Sequence, residues 1–246
     1  MDLSIIIPAY NEEKRLPPTL MRVLSCMAAH YSGTVELLVM DDGSEDGTSK
    51  SVEAFINEYA EVRLVRLGQN KGRGVAVRQG VSMAVGELIL EMDADGSVDE
   101  EAIPRFAEYL VQHRDIDILI GSRNIKGARI VRRQPMLRVA LGYTFLTLAR
   151  MLFGWDFRDR INGFKMFRRA AASDIFALQY NTGFLAEAEI VVIAEQRNWK
   201  YELLPVLWAD SRDSRIRPLK ESWRSFWGMF EIHRRAKTGA YSQKTS

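Results

Sequence analysis

The sequence predicts an α/β protein in which a mostly parallel sheet is covered by helices on both faces. Short apolar runs that are typical of strands alternate with longer segments that are typical of helices through residues 1–121. Turns rich in Asp, Asn and Gly follow the strand-like runs. Alternation of this kind favours a parallel sheet, because each connection between neighbouring strands crosses over as a helix.

The predicted elements follow one another at regular spacing. The strand-like runs are Leu3–Ile7, Val35–Met40, Val62–Leu67, Leu88–Met92 and Ile116–Gly121. The helix-like segments between them are Glu12–His30, Asp46–Tyr59, Gly74–Val85 and Glu100–His113. Ligands of open α/β sheets bind where the carboxyl ends of the strands meet. The polar turns at those ends should therefore form one site.

Two carboxylates one residue apart follow the fourth strand-like run, in Asp93-Ala94-Asp95-Gly96. Strand alternation points Asp93 and Asp95 to the same side where the strand stops. Convergent carboxylates suit a divalent cation, and this edge of the sheet suits a nucleotide. The same residues are also ordinary turn chemistry. The neighbouring polar turns favour the metal and diphosphate site over a plain turn.

Three further turns belong to the same predicted edge. They are Pro8-Ala9-Tyr10-Asn11-Glu12-Glu13, Asp41-Asp42-Gly43-Ser44 and Asn70-Lys71-Gly72-Arg73-Gly74. The last of these opens a helix, so backbone N–H groups and a cation can face phosphate there. It lacks the spacing of a Walker loop.

The net charge of +2 hides a strong asymmetry along the chain. Residues 1–117 carry −10, 118–155 carry +7, 156–211 carry −1 and 212–246 carry +6. The basic block favours an anionic partner such as phosphate, nucleic acid or a lipid surface, with a solvated basic face as the alternative. No helix-turn-helix, zinc-finger or aromatic RNA-binding signature is present in the sequence, so nucleic acid is not an expected partner.

Two aromatic or apolar segments follow the α/β half. Residues 136–155 are apolar nearly all round, but only 139–149 separate Arg138 from Arg150. Because spanning a bilayer takes about 20 apolar residues, a buried or membrane-surface helix is expected instead. Trp223, Phe226, Trp227 and Phe230 form a helical stripe. Such stripes usually pack in the core, although aromatic residues beside cations also suit a membrane surface.

The two ends of the chain and its cysteine content limit the remaining possibilities. Residues 239–246 predict a short disordered tail. Cys26 is the only cysteine, which excludes an intramolecular disulfide and fits a reducing compartment. The first residues lack the basic region of a signal peptide.

Together these motifs resemble the family 2 inverting glycosyltransferases of the GT-A fold, a Rossmann-like α/β fold. Within that family the similarity is to the polyprenyl-phosphate glycosyltransferases, and most of all to the dolichyl-phosphate β-glucosyltransferases. Besides the four turns above, the residues that carry it are Gly121-Ser122-Arg123, Asn162-Gly163-Phe164-Lys165, Glu187-Ala188-Glu189 and Leu204-Pro205-Val206. The resemblance implies that 1–121 bind a nucleotide sugar. It assigns 122–238 to the acceptor-binding and membrane-surface part of the same domain.

The resemblance also implies roles for individual residues. The donor-binding residues would be Pro8, Tyr10, Glu12, Asp42, Arg73, Asp93, Ala94 and Asp95. Asp93 and Asp95 would hold Mg²⁺ or Mn²⁺ on the donor diphosphate. The acceptor-binding residues would be Ser122, Arg123, Arg132, Arg133 and Glu187. Asp95 and Arg123 are the expected catalytic residues.

The activity that the resemblance implies is transfer of a hexose, with glucose from UDP-glucose as the first choice, to a polyprenyl or dolichyl phosphate. GDP-mannose or another UDP-sugar is the alternative donor. A non-catalytic sugar-nucleotide-binding or membrane-surface module is the alternative from another class. The expected location is cytoplasmic, in peripheral contact with anionic lipid at the inner face of the cell membrane.

Overall fold

A computed structural model describes residues 2–132, 136–154, 156–183, 185–210 and 218–242. The strands are β1 Leu3–Ala9, β2 Val35–Asp41, β3 Val62–Arg66, β4 Leu88–Met92, β5 Ile118–Ser122, β6 Arg129–Arg132, β7 Phe164–Arg168, β8 Tyr201–Pro205 and β9 Leu207–Ala209. The helices are α1 Leu16–His30, α2 Thr48–Glu58, α3 Arg73–Met83, α4 Ala102–Gln112, α5 Met136–Phe153, α6 Arg169–Ala177, α7 Ala186–Gln196 and α8 Pro218–Lys237.

The predicted fold class is confirmed. Within the described ranges, seven strands form one sheet in the order β3-β2-β1-β4-β7-β5-β8, and β6 pairs with β9 in a separate parallel ribbon. The five predicted strands and four predicted helices of the first half are present, with ends shifted by a few residues. The largest shift is at α1, which begins at Leu16 rather than at Glu12. Asn11 has a φ of 56°, outside the helical range, and prolines occupy the first turn of the helix.

Strand β7 is antiparallel to both of its neighbours and joins the two halves of the chain into one sheet. It pairs with β4 through Glu91↔Lys165 and with β5 through Ile120↔Lys165. This insertion places Gly163, just before β7, beside Asp93, just after β4. The second half of the chain therefore contributes directly to the edge that the first half was predicted to form.

The sheet separates two hydrophobic layers. Leu88, Leu90 and Met92 of β4 face the layer that contains residues of α1 and α4, whereas Ile89 faces the layer of α3, α6 and α7. Strand alternation puts Glu91 on the same side as Ile89. A carboxylate is thus directed into the α3, α6 and α7 layer, where burial is costly unless a cation meets it.

Helices α5 and α8 pack against each other and leave part of their apolar surface exposed. On α8, Met229 and Ile232 are fully buried, while Trp227 is 57% and Phe230 38% exposed. The core interpretation of the aromatic stripe is therefore wrong for Trp227 and Phe230, because Met229 and Ile232 occupy the inner face. The side chains of Trp223 and Phe226 lie outside the described part of the chain.

Helix α5 is buried on one side and exposed on another, and the predicted membrane-surface alternative stays a prediction. Ala149 is fully buried, whereas Tyr143 is 58% and Met151 79% exposed. Among the described residues, no helix has both the length and the apolar composition needed to cross a bilayer.

The predicted disordered tail is wrong for its first residues. Residues 238–242 form turns after α8, and Tyr241 is fully buried. Its hydroxyl donates a 2.6 Å hydrogen bond to Glu189, a carboxylate that is itself fully buried. This contact holds the end of the chain against α7. Residues 243–246 lie outside the described ranges.

Gly86→Ala should destabilise the fold, because a Cβ at this buried turn would lie 2.5 Å from the backbone nitrogen of Ser4 and 2.6 Å from the carbonyl carbon of Leu3. Backbone atoms of a central strand cannot move aside. We expect the free energy of unfolding, measured by urea titration, to fall by about 1–3 kcal/mol.

The matched control is Gly142→Ala on α5, where the new methyl group would have no atom within 4 Å apart from the neighbouring backbone of its own helix. This variant should be neutral or about 0.5–1 kcal/mol more stable, since Ala is favoured over Gly in a helix. Equal stability of Gly86→Ala and the wild type would contradict the close approach of the turn to β1.

Candidate active site

A cavity of about 690 Å³ opens at the carboxyl ends of β4 and β5. Asp93 lies at one part of its wall and Arg123 at another, and the loop that precedes β7 lies between them. Tyr143 and Leu146 of α5 add an apolar wall. A second cavity of about 710 Å³ lies between the end of α1 and α4, but none of the predicted site residues lines it. The first cavity is therefore the candidate site.

Asp93, which lines the cavity, is paired with Arg73 behind it. The Asp93 Oδ1 atom is 3.1 Å from Nε and 3.0 Å from Nη2 of Arg73. Arg73 is the first residue of α3 and follows Gly72, whose φ of 97° favours glycine. The Asp93 side chain is 47% exposed, so it can still accept a ligand from the cavity.

Three more charged side chains lie beneath this pair. The ammonium group of Lys165 is 3.3 Å from Glu91 and also contacts Glu187, and Glu187 in turn contacts Arg73. Glu91, Lys165 and Glu187 are each at most 3% exposed. We call Glu91, Lys165 and Glu187, together with Arg73 and Asp93, the buried charge cluster.

The two glutamates of the buried charge cluster ionise differently. Burial raises the pKa of Glu91, and the Glu187 carboxylate raises it further against the attraction of Lys165 and Arg73. Burial also disfavours the charged form of Glu187, but Arg73 and Lys165 outweigh it and lower the pKa of that carboxyl. Glu91 therefore keeps its proton more readily than Glu187. With Glu91 neutral, two cations face two carboxylates and the cluster is balanced.

Asp42 holds the turn that leads into α3. Its two carboxylate oxygens each accept a 2.8 Å hydrogen bond, one from the backbone N–H of Lys71 and one from that of Gly72. Asp42 is 3% exposed, and this burial raises its pKa although the two N–H donors oppose the shift. The structure places Asp42 as a support for the turn that positions Arg73. Its predicted contact with the nucleotide stays a prediction.

The first polar turn is tied to the second one. The side-chain oxygen of Asn11 accepts a 2.8 Å hydrogen bond from the N–H of Glu45, and the N–H of Glu12 donates to Thr48 at 2.7 Å. Glu12 also pairs with Arg15. Pro8 is buried in β1 and Tyr10 is half-buried after it. The turns that follow β1 and β2 therefore form one surface, as the sequence predicts for the sheet edge.

Asp95 lies one residue beyond the core residue Ala94. Its Oδ1 atom accepts a 3.0 Å hydrogen bond from the N–H of Ser97, and Oδ2 is 4.0 Å from Nη1 of Arg15. Ala94 is 4% exposed and packs in the layer of α1 and α4, so its side chain does not line the cavity.

Asp93 and Asp95 fit a cation that is shared with a ligand better than a preformed metal centre. Within the described residues, no group of three or more His, Cys, Asp or Glu side chains is arranged to hold a metal ion. Mg²⁺ binds through one or two carboxylates together with substrate phosphates and water. Mn²⁺ has similar ligand preferences. Two oxygen ligands at the open end of a strand match that mode.

Arg123 lines the cavity beside Asn124 and Trp208. Its guanidinium stacks over the ring of Trp208, 4.7 Å from the centroid. The preceding residue, Ser122, is fully buried and donates a 2.6 Å hydrogen bond to Asp159, which fixes the loop before β7. Ser122 is therefore positioned to support the cavity wall, while Arg123 can reach an anion inside it.

The other predicted acceptor residues are not all at the cavity wall. Arg132 is exposed on β6, with Nη1 3.5 Å from the carbonyl oxygen of Asp210. Arg133 lies outside the described residues. Glu187 is buried in the charge cluster beneath Arg73, so any effect on the acceptor would have to act through Arg73.

Sequence reasoning did not identify the roles of Lys165, Glu91 and Asp159. Lys165 and Glu91 meet only because β7 pairs with β4, and the antiparallel direction of β7 has no signal in the pattern of the chain. A charged residue inside each of two apolar runs, Leu88–Met92 and Phe164–Arg168, was the available clue.

The sequence model of the family described as Glycosyl transferase family 2 matches residues 4–176. The dolichyl-phosphate beta-glucosyltransferase of Homo sapiens is 30% identical over 94% of this chain and 72% of its own length. That of Saccharomyces cerevisiae is 31% identical over 87% and 69%. A relative of the same name from Trichomonas vaginalis is 33% identical over 87% of this chain, which spans 66% of that protein.

A solved structure is similar in fold. The glucosyl-3-phosphoglycerate synthase from Mycobacterium tuberculosis, crystallised with Mn²⁺, UDP-glucose and glycerol 3-phosphate, superimposes with a TM-score of 0.67 and 18% sequence identity. The match covers 94% of this chain and 79% of the synthase. At this identity the similarity supports the fold, which agrees with the GT-A fold that the sequence resemblance implies.

Gly163→Ala should separate Asp93 from Arg73. A Cβ at residue 163 would overlap both carboxylate oxygens of Asp93 and lie 2.5 Å from Nη2 of Arg73. Side chains at an open cavity can move, so we expect the protein to fold while the Asp93–Arg73 contact is lost. The crystal structure of the variant, with thermal unfolding as the control, measures this. Retention of the Asp93–Arg73 pair in its present geometry would contradict the close approach of Gly163 to both side chains.

Proposed function

The chain belongs to glycosyl transferase family 2, and from this premise we propose that it transfers glucose from UDP-glucose to a polyprenyl or dolichyl phosphate at the cytoplasmic face of a membrane. The relatives named dolichyl-phosphate beta-glucosyltransferase support the sugar and the acceptor, and the synthase crystallised with Mn²⁺ and UDP-glucose supports a divalent cation and the donor.

One observation carries the proposal: a single cavity joins Asp93, Arg123 and the apolar wall of α5. A soluble acceptor has no need of the apolar wall. A lipid phosphate needs both a cation for its phosphate and an apolar surface for the first isoprene units. The cavity offers these beside the carboxylates that suit the donor.

On the donor side, Arg73 brings a positive charge next to Asp93, which lines the cavity. Two buried carboxylates behind it, Glu91 and Glu187, oppose its movement into solvent. A divalent cation bound by Asp93 and Asp95 would supply Lewis-acid stabilisation to the departing nucleoside diphosphate. The turn at Lys71-Gly72 presents a helix N-terminus on the same edge, which suits phosphate oxygens.

On the acceptor side, Arg123 orients the attacking phosphate, because a guanidinium matches phosphate oxygens through two parallel hydrogen bonds. The phosphate oxygen forms a bond to the anomeric carbon as the bond from that carbon to the diphosphate breaks. Attack from the opposite face inverts the anomeric configuration. An α-linked donor thus gives a β-linked lipid phosphate sugar.

This reaction needs little help from a general base, since a phosphate monoester is already anionic near neutral pH, with its second pKa near ~6. The structure agrees with that requirement. The three histidines of the chain, His30, His113 and His233, are all described, and none of them lines the cavity. Positioning of two anions by cations therefore carries most of the proposed rate enhancement.

Peripheral membrane contact is part of the proposal. Exposed apolar side chains on α5 and α8, among them Met151 and Trp227, lie on the same pair of helices as exposed cations such as Arg234. Apolar anchors with nearby cations suit the interface of an anionic bilayer. A lipid acceptor could then enter the cavity beside α5 without leaving the membrane.

The experiment that tests this function incubates the full chain with Mn²⁺, a polyprenyl phosphate and a panel of sugar nucleotides, with product mass as the readout. We expect a mass increase of one hexose with UDP-glucose, abolished in Asp95→Ala. Product formed only from GDP-mannose or another UDP-sugar would assign the alternative donor. If the folded protein forms no product with any of the donors, this result would contradict catalysis and favour a binding module.

Arg123→Ala should impair use of the lipid acceptor far more than nucleotide binding. Loss of a charge-assisted hydrogen bond is worth about 1.5–3 kcal/mol, so we expect kcat/KM for the polyprenyl phosphate to fall roughly 10- to 100-fold. The affinity for UDP with Mn²⁺, measured by calorimetry, should stay close to that of the wild type.

Arg129→Ala is the matched control, because Arg129 belongs to the same basic block but lies exposed on β6 and does not line the cavity. It should leave kcat/KM nearly unchanged with a short, water-soluble acceptor. Equal losses of acceptor use and UDP affinity in Arg123→Ala would count against the proposed role.

A further inference from the structure

Lys165 is a fully buried cation with a complete set of partners. Its ammonium group contacts Glu91 at 3.3 Å, and also contacts Glu187 and the backbone carbonyl oxygen of Asn162. An ammonium group has three N–H donors, and these three acceptors use all of them. The position of the ammonium is therefore determined by β4, α7 and the turn before β7 together.

Glu187 passes this constraint to the cavity. One of its carboxylate oxygens contacts Lys165 and the other contacts Nη1 of Arg73. The opposite edge of the same guanidinium faces Asp93 through Nε and Nη2. The contacts thus run in one line from Lys165, which is fully buried, to Asp93, which is half-exposed at the cavity floor.

We propose that Lys165 is a positioning residue for the donor site: it fixes Glu187, and through Glu187 it holds the guanidinium of Arg73 beside Asp93. Lys165 does not reach the cavity, so it acts only through these side chains. The inference rests on the proposed function, because it takes the site beside Asp93 to be the site of the donor diphosphate.

A purely structural role explains the cluster less well. Burying charged groups is expensive, and well-packed apolar side chains in place of a buried ion pair are often equally stable or more stable. The neighbours of Lys165 on β7, Met166 and Phe167, are apolar and fully buried. An apolar residue at 165 would fit the strand but would leave Glu187 with one cation instead of two. The buried lysine, unlike an apolar residue, fixes the orientation of Glu187 and Arg73.

Lys165→Met tests the proposal, because it removes the ammonium while keeping an unbranched side chain of similar length. We expect the Kd for UDP in the presence of Mn²⁺, measured by calorimetry, to rise roughly tenfold or more. In the crystal structure of the variant without nucleotide, Arg73 should have left its contact with Asp93. An unchanged Kd together with an unchanged Arg73 position would overturn the proposal.

The matched control is Arg197→Met. Arg197 pairs with Asp174 at 2.8 Å, is only partly exposed, and does not line the cavity. This variant also loses a cation from a partly buried ion pair. It should lower the melting temperature without raising the Kd for UDP. An equal rise of the Kd in Arg197→Met would show that general destabilisation, rather than the position of Arg73, weakens nucleotide binding.

The double variant Lys165→Met/Glu187→Gln separates position from net charge, since it removes one cation and one ionised carboxylate and leaves Arg73 facing Asp93. We expect it to regain melting temperature relative to Lys165→Met but not affinity for UDP. Recovery of both would overturn the positioning role and leave only charge balance. If the single variant does not fold, this charge-balanced variant carries the test.

Failure of the proposed function gives a different pattern. A wild type that binds no nucleoside diphosphate would contradict the donor site, whereas the position of Arg73 in the crystal structure of Lys165→Met would still decide the role of Lys165.

Discussion

The structure depends on the antiparallel insertion of β7 between β4 and β5. Without that strand, the sheet edge at Asp93, where we propose that the donor binds, and the edge at Arg123, where we propose that the acceptor binds, would belong to separate parts of the chain. With it, the turn before β7 connects them: the side chain of Asn162 donates a 2.9 Å hydrogen bond to the carbonyl oxygen of Gly121. The same strand carries Lys165 to Glu91. Sheet topology thus determines both the shape of the cavity and the charges beneath it.

The first half of the chain is acidic, although the proposed donor that it would bind is an anion. Residues 1–117 carry a charge of −10, which by itself disfavours a nucleoside diphosphate. Arg73 is the local exception, and three carboxylates contact it or lie within 4 Å of it. Those carboxylates hold the guanidinium directly behind the cavity wall at Asp93. A divalent cation on Asp93 and Asp95 would add the remaining positive charge at the point where the leaving group forms.

Much of the fold could be predicted from the sequence, because local patterns determine it. Apolar runs such as Leu3–Ile7 and Leu88–Met92 are strands in the structure, and the polar turns meet at one edge because parallel strands end together. The motifs also identified the family. Ser122 and Arg123 were singled out from a short motif, and the structure places one in the wall and the other at the cavity.

The rest could not be predicted, because it depends on long-range pairing. The contact between Glu91 and Lys165 joins residues 74 positions apart, and nothing in either local pattern specifies it. Glu187 could be read as a surface or ligand-binding carboxylate until α7 was placed against α3. Tyr241 was assigned to a disordered tail because its partner, Glu189, is buried in a helix whose packing the sequence does not reveal.

In the proposed function, Asp93 and Asp95 form the donor diphosphate site, with Arg73 paired to Asp93. The most direct measurement is an anomalous difference map from crystals of the full chain grown with Mn²⁺ and UDP, collected at the manganese absorption edge. We expect a manganese peak between the two aspartates and the UDP diphosphate. The part of the cavity beside Arg123 should stay unoccupied. Ordered UDP with manganese bound away from both aspartates would contradict the proposed donor site.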